Sequence, residues 1–205
     1  MMGMSWRSAA ADSVRIVLAS ASPRRSDLLR SLGLDFVVSP MDIDESEHPD
    51  EDPATYVRRV ASEKALAFAA SAEDLVIAAD TTVDVDGQIL AKPVDEADAR
   101  RMLSQISGRT HLVHTGVAVR LGSQLLAAVG TTSVSVVTIS DAMLDWYIGT
   151  DEPFGKAGAY ALQGAAAILV ESVEGSVSNV IGLPLALLDD LVHQVVGTPI
   201  WRIGR

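Results

Sequence analysis

Short β-branched runs alternate with well-punctuated helices from end to end of this 205-residue chain, and that alternation is what most limits its fold. Val14 to Ala19 reads as a strand. Ser22-Pro23 then opens a helix closed by Gly33, with Ser at the N-cap, Pro at N1 and Gly just past the end, and Leu28, Leu29 and Leu32 form its buried stripe. A second helix is predicted from Asp52-Pro53 to about Ala70. Leu75 to Ala79 is a buried strand ending at Asp80, and Val83 and Val85 lead into the hairpin signal Asp86-Gly87, with Ile89 and Leu90 returning. Asp95 caps a helix over Ala99, Met102, Leu103 and Ile106, ended by Gly108. Thr110 to Arg120, Gln124 to Val129 and Thr132 to Ile139 read as successive strands. Ser140 caps a short helix, the loop Thr150 to Gly158 follows, Ala165 to Val173 is a strand and Pro184 to Val196 the last helix. Helices separated by hairpins predict an α/β fold with a mixed, twisted sheet flanked by helices rather than a doubly wound parallel one. Residues 1–12 carry one basic residue and no apolar segment. They read as a flexible leader to a single domain over 13–205.

Charge narrows the function. Sixteen Lys and Arg against twenty-seven Asp and Glu give a net charge of −11, which argues against nucleic acid as a partner. A small anion remains a candidate ligand if the few cations gather at its site. Hydrophobic residues at 48% with 21% charged residues describe a chain with a core to bury. No run approaches the ~18–20 apolar residues of a membrane span, so no membrane partner is expected. There is no cysteine, which excludes disulfides, thiolate metal sites and thiol nucleophiles; together with the missing targeting signal it predicts a cytoplasmic protein.

Three places in the chain could carry chemistry. Ser20-Ala21-Ser22-Pro23-Arg24-Arg25 joins a strand to a helix start, where free N–H groups, two hydroxyls and two guanidiniums suit an anion; the blander reading is a capped surface helix. It lacks the Gly-Lys-Ser/Thr of a Walker loop. Lys64 falls inside the apolar stripe of Val57, Val60, Ala61 and Phe68, so it either snorkels outward or points at something anionic. Asp80, at a predicted strand end, is placed to hold a divalent cation, to take a proton from water or simply to cap a turn, with Thr81 beside it as a hydrogen-bond donor. Thirteen of the sixteen cations are Arg, and only Lys64, Lys92 and Lys156 are Lys. Where Arg is the default, a retained Lys suggests a need for a compact charge. The acids from Asp42 to Asp52 read as a solvated loop, one member of which could reach a metal. His111 and His114, three apart on a strand, face opposite ways and are no chelating pair. No Gly-x-Ser-x-Gly elbow is present.

Taken together, the segments resemble the Maf family of nucleoside triphosphate pyrophosphatases. The matching stretches are Ala19 to Arg25 with Leu28-Leu29, Asp44-Glu45, Glu63-Lys64-Ala65, Ala79-Asp80-Thr81, Leu90-Ala91-Lys92-Pro93, Ser107 to His111, Gly158 to Gly164 and Asn179 to Pro184. The resemblance implies two lobes around a cleft, as in inosine triphosphatases, and hydrolysis of a nucleoside triphosphate between its α- and β-phosphates with Mg²⁺ or Mn²⁺. It implies catalytic roles for Asp80, Glu45, Lys64, Lys92 and Arg25, with Asp80 and Glu45 at the metal. Substrate contacts would come from Ser20, Ser22, Arg24, Thr81 and Gln163. Arg24, Thr81 and Gln163 match the branch that takes dTTP, UTP and related modified pyrimidine nucleotides, a nucleotide-pool housecleaning role; Gln163 offers a donor and an acceptor to an imide edge. Phe154-Gly155 before Lys156 departs from the polar residues expected there. The alternatives are a nucleotide-binding regulator of septum formation with weak catalysis, linked to cell-division arrest, and a 7-methyl-GTP pyrophosphatase. The family resemblance also allows a homodimer.

Overall fold

The computed structural model describes residues 14–204, so the predicted leader lies outside the described residues. In chain order the elements are β1 (Arg15–Leu18), α1 (Pro23–Ser31), β2 (Phe36–Val38), α2 (Pro53–Ala67), β3 (Asp74–Val85), β4 (Gln88–Leu90), α3 (Glu96–Ile106), β5 (Thr110–Leu121), β6 (Gln124–Val136), α4 (Asp141–Ile148), β7 (Val170–Glu174), α5 (Val177–Ile181) and α6 (Leu185–Val196). Short 3₁₀ turns cover Ala157–Ala159, Ala165–Leu169 and Ile200–Arg202. The strands form one mixed seven-stranded sheet, ordered β2-β1-β3-β5-β6-β7, with β4 also on β3. β1 runs parallel to β2 and β3, and the other pairs are antiparallel.

Alternation along the central strands sorts the core. Val76 and Ala78 of β3 and Ala118 of β5 pack under Ala61 and Ala65 of α2. Their neighbours Leu75, Ile77, Val117 and Val119 turn to the opposite face, where Leu188 and Val192 of α6 and Leu29 of α1 cover them. Further along the same strands, Val83, Val85 and Val113 join Leu103 of α3 and Leu144 of α4 in a separate cluster. The clusters on the two faces of the sheet make one lobe and this separate cluster the other, and the cleft opens between them.

β3 shapes that cleft. On one side it pairs with β5 from Leu75↔Leu121 to Asp84↔Leu112. On the other, β1 accompanies it only to Leu18↔Ile77, and β4 joins only at Val83↔Leu90. Between Ile77 and Val83 that edge has no strand partner among the described residues. This corrects the expectation that Asp80 ends a strand. β1 ends there, while β5 carries β3 on through the polar Asp80-Thr81-Thr82.

Two other expectations change for similar reasons. The predicted strands 124–129 and 132–139 are one strand, β6, and Gly130 is no break. A Cβ there would lie 2.6 Å from Asn179 Oδ1, so the glycine admits a buried side chain rather than a turn. The strand predicted over Ala165–Val173 begins as a 3₁₀ turn, and only Val170–Glu174 pairs with β6. The second helix stops at Ala67, and the short β2 and α5 went unpredicted.

α2 lies unusually close to the sheet. A Cβ on Gly116 would stand 2.2 Å from the Val57 carbonyl oxygen and 2.7 Å from the Arg58 nitrogen, backbone atoms that cannot swing aside. At the helix's far end, Arg120 Nη1 lies 3.2 Å from the carbonyl oxygens of Ala65, Leu66 and Phe68, satisfying groups left open where the helix stops. Gly116→Ala is therefore expected to lift α2 off the sheet and cost about 3 kcal/mol of unfolding free energy by overpacking. A urea midpoint measured at unchanged slope checks it.

Candidate active site

Successive residues of a strand point to opposite faces, so Asp80 and Thr81 share one cleft only because the β3 edge is open where they stand. On the α2 face, Lys64 reaches across. Its Nζ lies 2.8 Å from Asp80 Oδ1 and 2.8 Å from Glu45 Oε1. Lys64 and Asp80 are buried, and Glu45 sits at the rim. Burial works against ionised Glu45, but the Lys64 hydrogen bond and charge, with Lys92 and Arg25, hold its carboxyl below the usual value. Each carboxylate uses one oxygen on Lys64 and has its second oxygen without a protein partner among the described residues.

The acidic loop before α2 delivers Glu45. Tyr56 Oη donates to the Glu45 carbonyl at 3.0 Å. Arg59 donates through Nη2 to the Ser46 carbonyl at 2.9 Å and pairs with Glu51 at 2.7 Å. Part of the run read as a solvated face is thus pinned to α2.

On the other face, Arg25 is buried and bonded on three sides. It donates through Nε to the Gly182 carbonyl at 2.8 Å, through Nη1 to Ser20 Oγ at 2.9 Å and through Nη2 to Thr81 Oγ1 at 3.1 Å. Burial lowers its pKa, opposed by the charges of Asp80 and Glu45. Thr81 lies 3.0 Å from Thr115 Oγ1, whose hydroxyl donates to the Asn179 carbonyl, so Thr81 donates onward and the network runs one way. Ser22 is the N-cap of α1 but makes no side-chain cap bond. Its own N–H donates to Ser20 Oγ at 3.2 Å. The first turn of α1 therefore opens toward the cleft with the Ser22 hydroxyl uncommitted.

The cleft encloses about 570 Å³ and is lined by all ten residues singled out in the sequence: Ser20, Ser22, Arg24, Arg25, Glu45, Lys64, Asp80, Thr81, Lys92 and Gln163. Lys156, noticed only for being a lysine, lines it too, so every lysine of the chain faces one cavity. Five cations against two carboxylates leave a local positive excess in a chain of net charge −11. Arg24 has no hydrogen bond or ion pair among the described residues, and burial lowers its pKa. Its charge also lowers the pKa of Lys156, after burial and against Glu152. A cation without an acid partner, facing another cation in the cleft, suits a multiply charged anion.

Sequence reading missed Tyr56, Thr115 and Asn179, which fix Glu45 and Thr81, and also Tyr160, which lines the cleft. Tyr160 and Asn179 were signalled only by membership of the matching stretches Gly158 to Gly164 and Asn179 to Pro184, and Tyr56 and Thr115 by nothing.

The sequence pattern of Maf-like proteins matches residues 15–195. The chain belongs to the Maf family. Among curated relatives, a dTTP/UTP pyrophosphatase of Anaeromyxobacter dehalogenans is 53% identical over 176 residues, 84% of this chain and 89% of that one. A dTTP/UTP pyrophosphatase of Myxococcus xanthus is 46% identical over 194 residues, 94% and 98% of the two chains. Among solved structures, the Staphylococcus aureus Ham1 protein aligns with a TM-score of 0.43 at 17% identity, covering 60% of this chain and 71% of that one.

Behind the cleft of this Maf protein, His111 Nε2 lies 2.8 Å from Tyr160 Oη, while the buried Nδ1 has no partner. A bare ring nitrogen costs less there than an orphaned N–H, which favours the tautomer protonated at Nε2. Burial pushes the His111 pKa down to about 4, against the charge of Asp84. In the unfolded chain it titrates at the ordinary 6.5, so the unfolded state binds the extra proton first, and stability falls as pH drops from 6.5 to about 4. His111→Gln is expected to remove about 3 kcal/mol from the pH dependence of unfolding across that window, read from urea titrations at stepped pH.

Proposed function

We propose that this Maf protein hydrolyses dTTP, UTP and related pyrimidine nucleoside triphosphates between the α- and β-phosphates, releasing the monophosphate and pyrophosphate. The observation that carries the reading is the gathering of five cations and a Glu45–Lys64–Asp80 bridge at the open edge of β3. Its chemical sense comes from relatives at 46% to 53% identity that are dTTP/UTP pyrophosphatases.

The triphosphate lies against the start of α1, where Ser20, Ser22 and Arg25 surround it with donors, and Lys92 meets it from the opposite lobe. Water attacks phosphorus in line, the bridging P–O bond breaks, and pyrophosphate leaves with the electron pair. The proton passes to the carboxylate pair of Glu45 and Asp80, which Lys64 holds in position. At the other end of the cleft, Gln163 is exposed and without a hydrogen bond among the described residues. Its amide offers one donor and one acceptor, which matches the carbonyl and N–H of a thymine or uracil edge.

The donor set also suits a divalent metal. Among the described residues no group of three His, Asp or Glu forms an all-protein cage. Two carboxylates, each with one oxygen free of protein partners, are what Mg²⁺ or Mn²⁺ takes when phosphate oxygens and water complete its shell. Glu45 and Asp80 would hold such an ion, which when bound neutralises phosphate charge and polarises the phosphoryl group.

No described helix is long and apolar enough to cross a membrane.

The test is product analysis with Mg²⁺ or Mn²⁺ on dTTP, UTP, CTP and 7-methyl-GTP. Monophosphate and pyrophosphate are expected from dTTP and UTP, and Asp80→Asn should lower kcat by about 10²–10⁴-fold while the protein stays folded. Diphosphate and free phosphate, or preferential cleavage of 7-methyl-GTP, would overturn the reading.

A further inference from the structure

Glu152 binds both halves of the arm that carries Lys156 and Gln163. Its carboxylate accepts from the backbone N–H of Ala165 at 2.7 Å, from that of Ala166 at 3.1 Å and from Tyr147 Oη at 3.1 Å. Its carbonyl accepts from Lys156 Nζ. One residue therefore fixes the chain directly after Gln163 and the ammonium of the lysine seven positions before it. The fit is tight. A Cβ on Gly164 would fall 2.3 Å from Glu152 Oε2, so a side chain there would push the carboxylate from its present place.

The arm is not a shape the chain would hold alone. Between Thr150 and Gly164 four residues take positive φ, two of them not glycine: Asp151 at 59° and Ala159 at 62°. Its near end is clamped, since the Gly158 N–H donates to the Ala91 carbonyl at 3.1 Å and the glycine sits against Val83. Its far end, next to Gln163, has Glu152.

This bears on base choice. A glutamine amide turned through half a rotation offers its donor and acceptor in the other order and serves cytosine as well as thymine. Selection for a carbonyl edge therefore needs a fixed amide, or a neighbour that can only donate, and Lys156 has donors and no acceptor. We infer that Glu152 is the positioning residue that sets this arm and so makes the cleft choose thymine or uracil over cytosine. The inference rests on the pyrimidine reading above.

The experiment measures steady-state constants for dTTP and dCTP with Mg²⁺ for the wild type and three variants. Glu152→Gln turns an amide N–H₂ toward groups that already donate. Gly164→Ala pushes the carboxylate off the two N–H groups while keeping Glu152 in the chain. Asp189→Ala is the control. Asp189 also receives a backbone N–H, that of Ile200 at 2.7 Å, but far from the cleft, so its loss weakens the fold without touching the arm. In both Glu152→Gln and Gly164→Ala, KM for dTTP should rise about tenfold with kcat within about threefold, and the dTTP-over-dCTP ratio of kcat/KM should fall about tenfold. Asp189→Ala should lower the melting temperature and keep the ratio. If the ratio stays at the wild-type value in both arm variants, Glu152 is a structural residue only and the inference fails. A wild type that releases no pyrophosphate from dTTP, or none faster than from dCTP, overturns the substrate reading instead.

Discussion

The Lys64 ammonium, held between Glu45 and Asp80, is the contact on which the rest of the site depends. A lysine this buried is costly to leave unpaired, and two carboxylates this close repel unless a cation lies between them. Each group thus holds the others in place. Three distant segments must deliver them: the loop before α2, α2 itself and the middle of β3. The close approach at Gly116 sets the height of α2 above the sheet. Arg120 closes the helix's C-terminal end, and Tyr56 and Arg59 hold the loop bearing Glu45. Sheet, helix and loop meet at one point because β1 stops where β4 has not begun.

The same gap lets two faces of the sheet serve one ligand. Arg25, Ser20 and Thr81 approach from the α1 side, and Lys64 and Asp80 from the α2 side. Net charge would mislead here. The chain is strongly acidic, yet its lysines all face one cavity, and local charges at short range with little intervening water dominate the field a ligand feels there.

Much of this was legible in the sequence because it rests on local rules. Ser22-Pro23 and Gly33 bound α1, Asp95 and Ser140 cap their helices as expected, and Lys64 interrupts an apolar stripe at helical spacing. What failed was long-range. Asp80-Thr81-Thr82 looked like a turn because nothing local says that β5 pairs across it. Gly130 looked like a break because the side chain it admits, Asn179, comes some fifty residues later. Ala165 to Leu169 is apolar enough for a strand, but Glu152 draws two of its N–H groups into a 3₁₀ turn. Glu152 and Tyr56 carried no signal of their own, since a positioning role is invisible until its partners are in place.

Lys64 and Asp80 act as one unit rather than as two contributors, and a double-mutant cycle tests that directly. kcat/KM for dTTP is measured for Lys64→Gln, Asp80→Asn and the double variant under one metal concentration. If the pair acts as a unit, the double variant is about as impaired as the worse single one, leaving a coupling energy of about 1–3 kcal/mol. Losses that simply multiply would mean that the two residues work independently, and would contradict the central place given to their bridge.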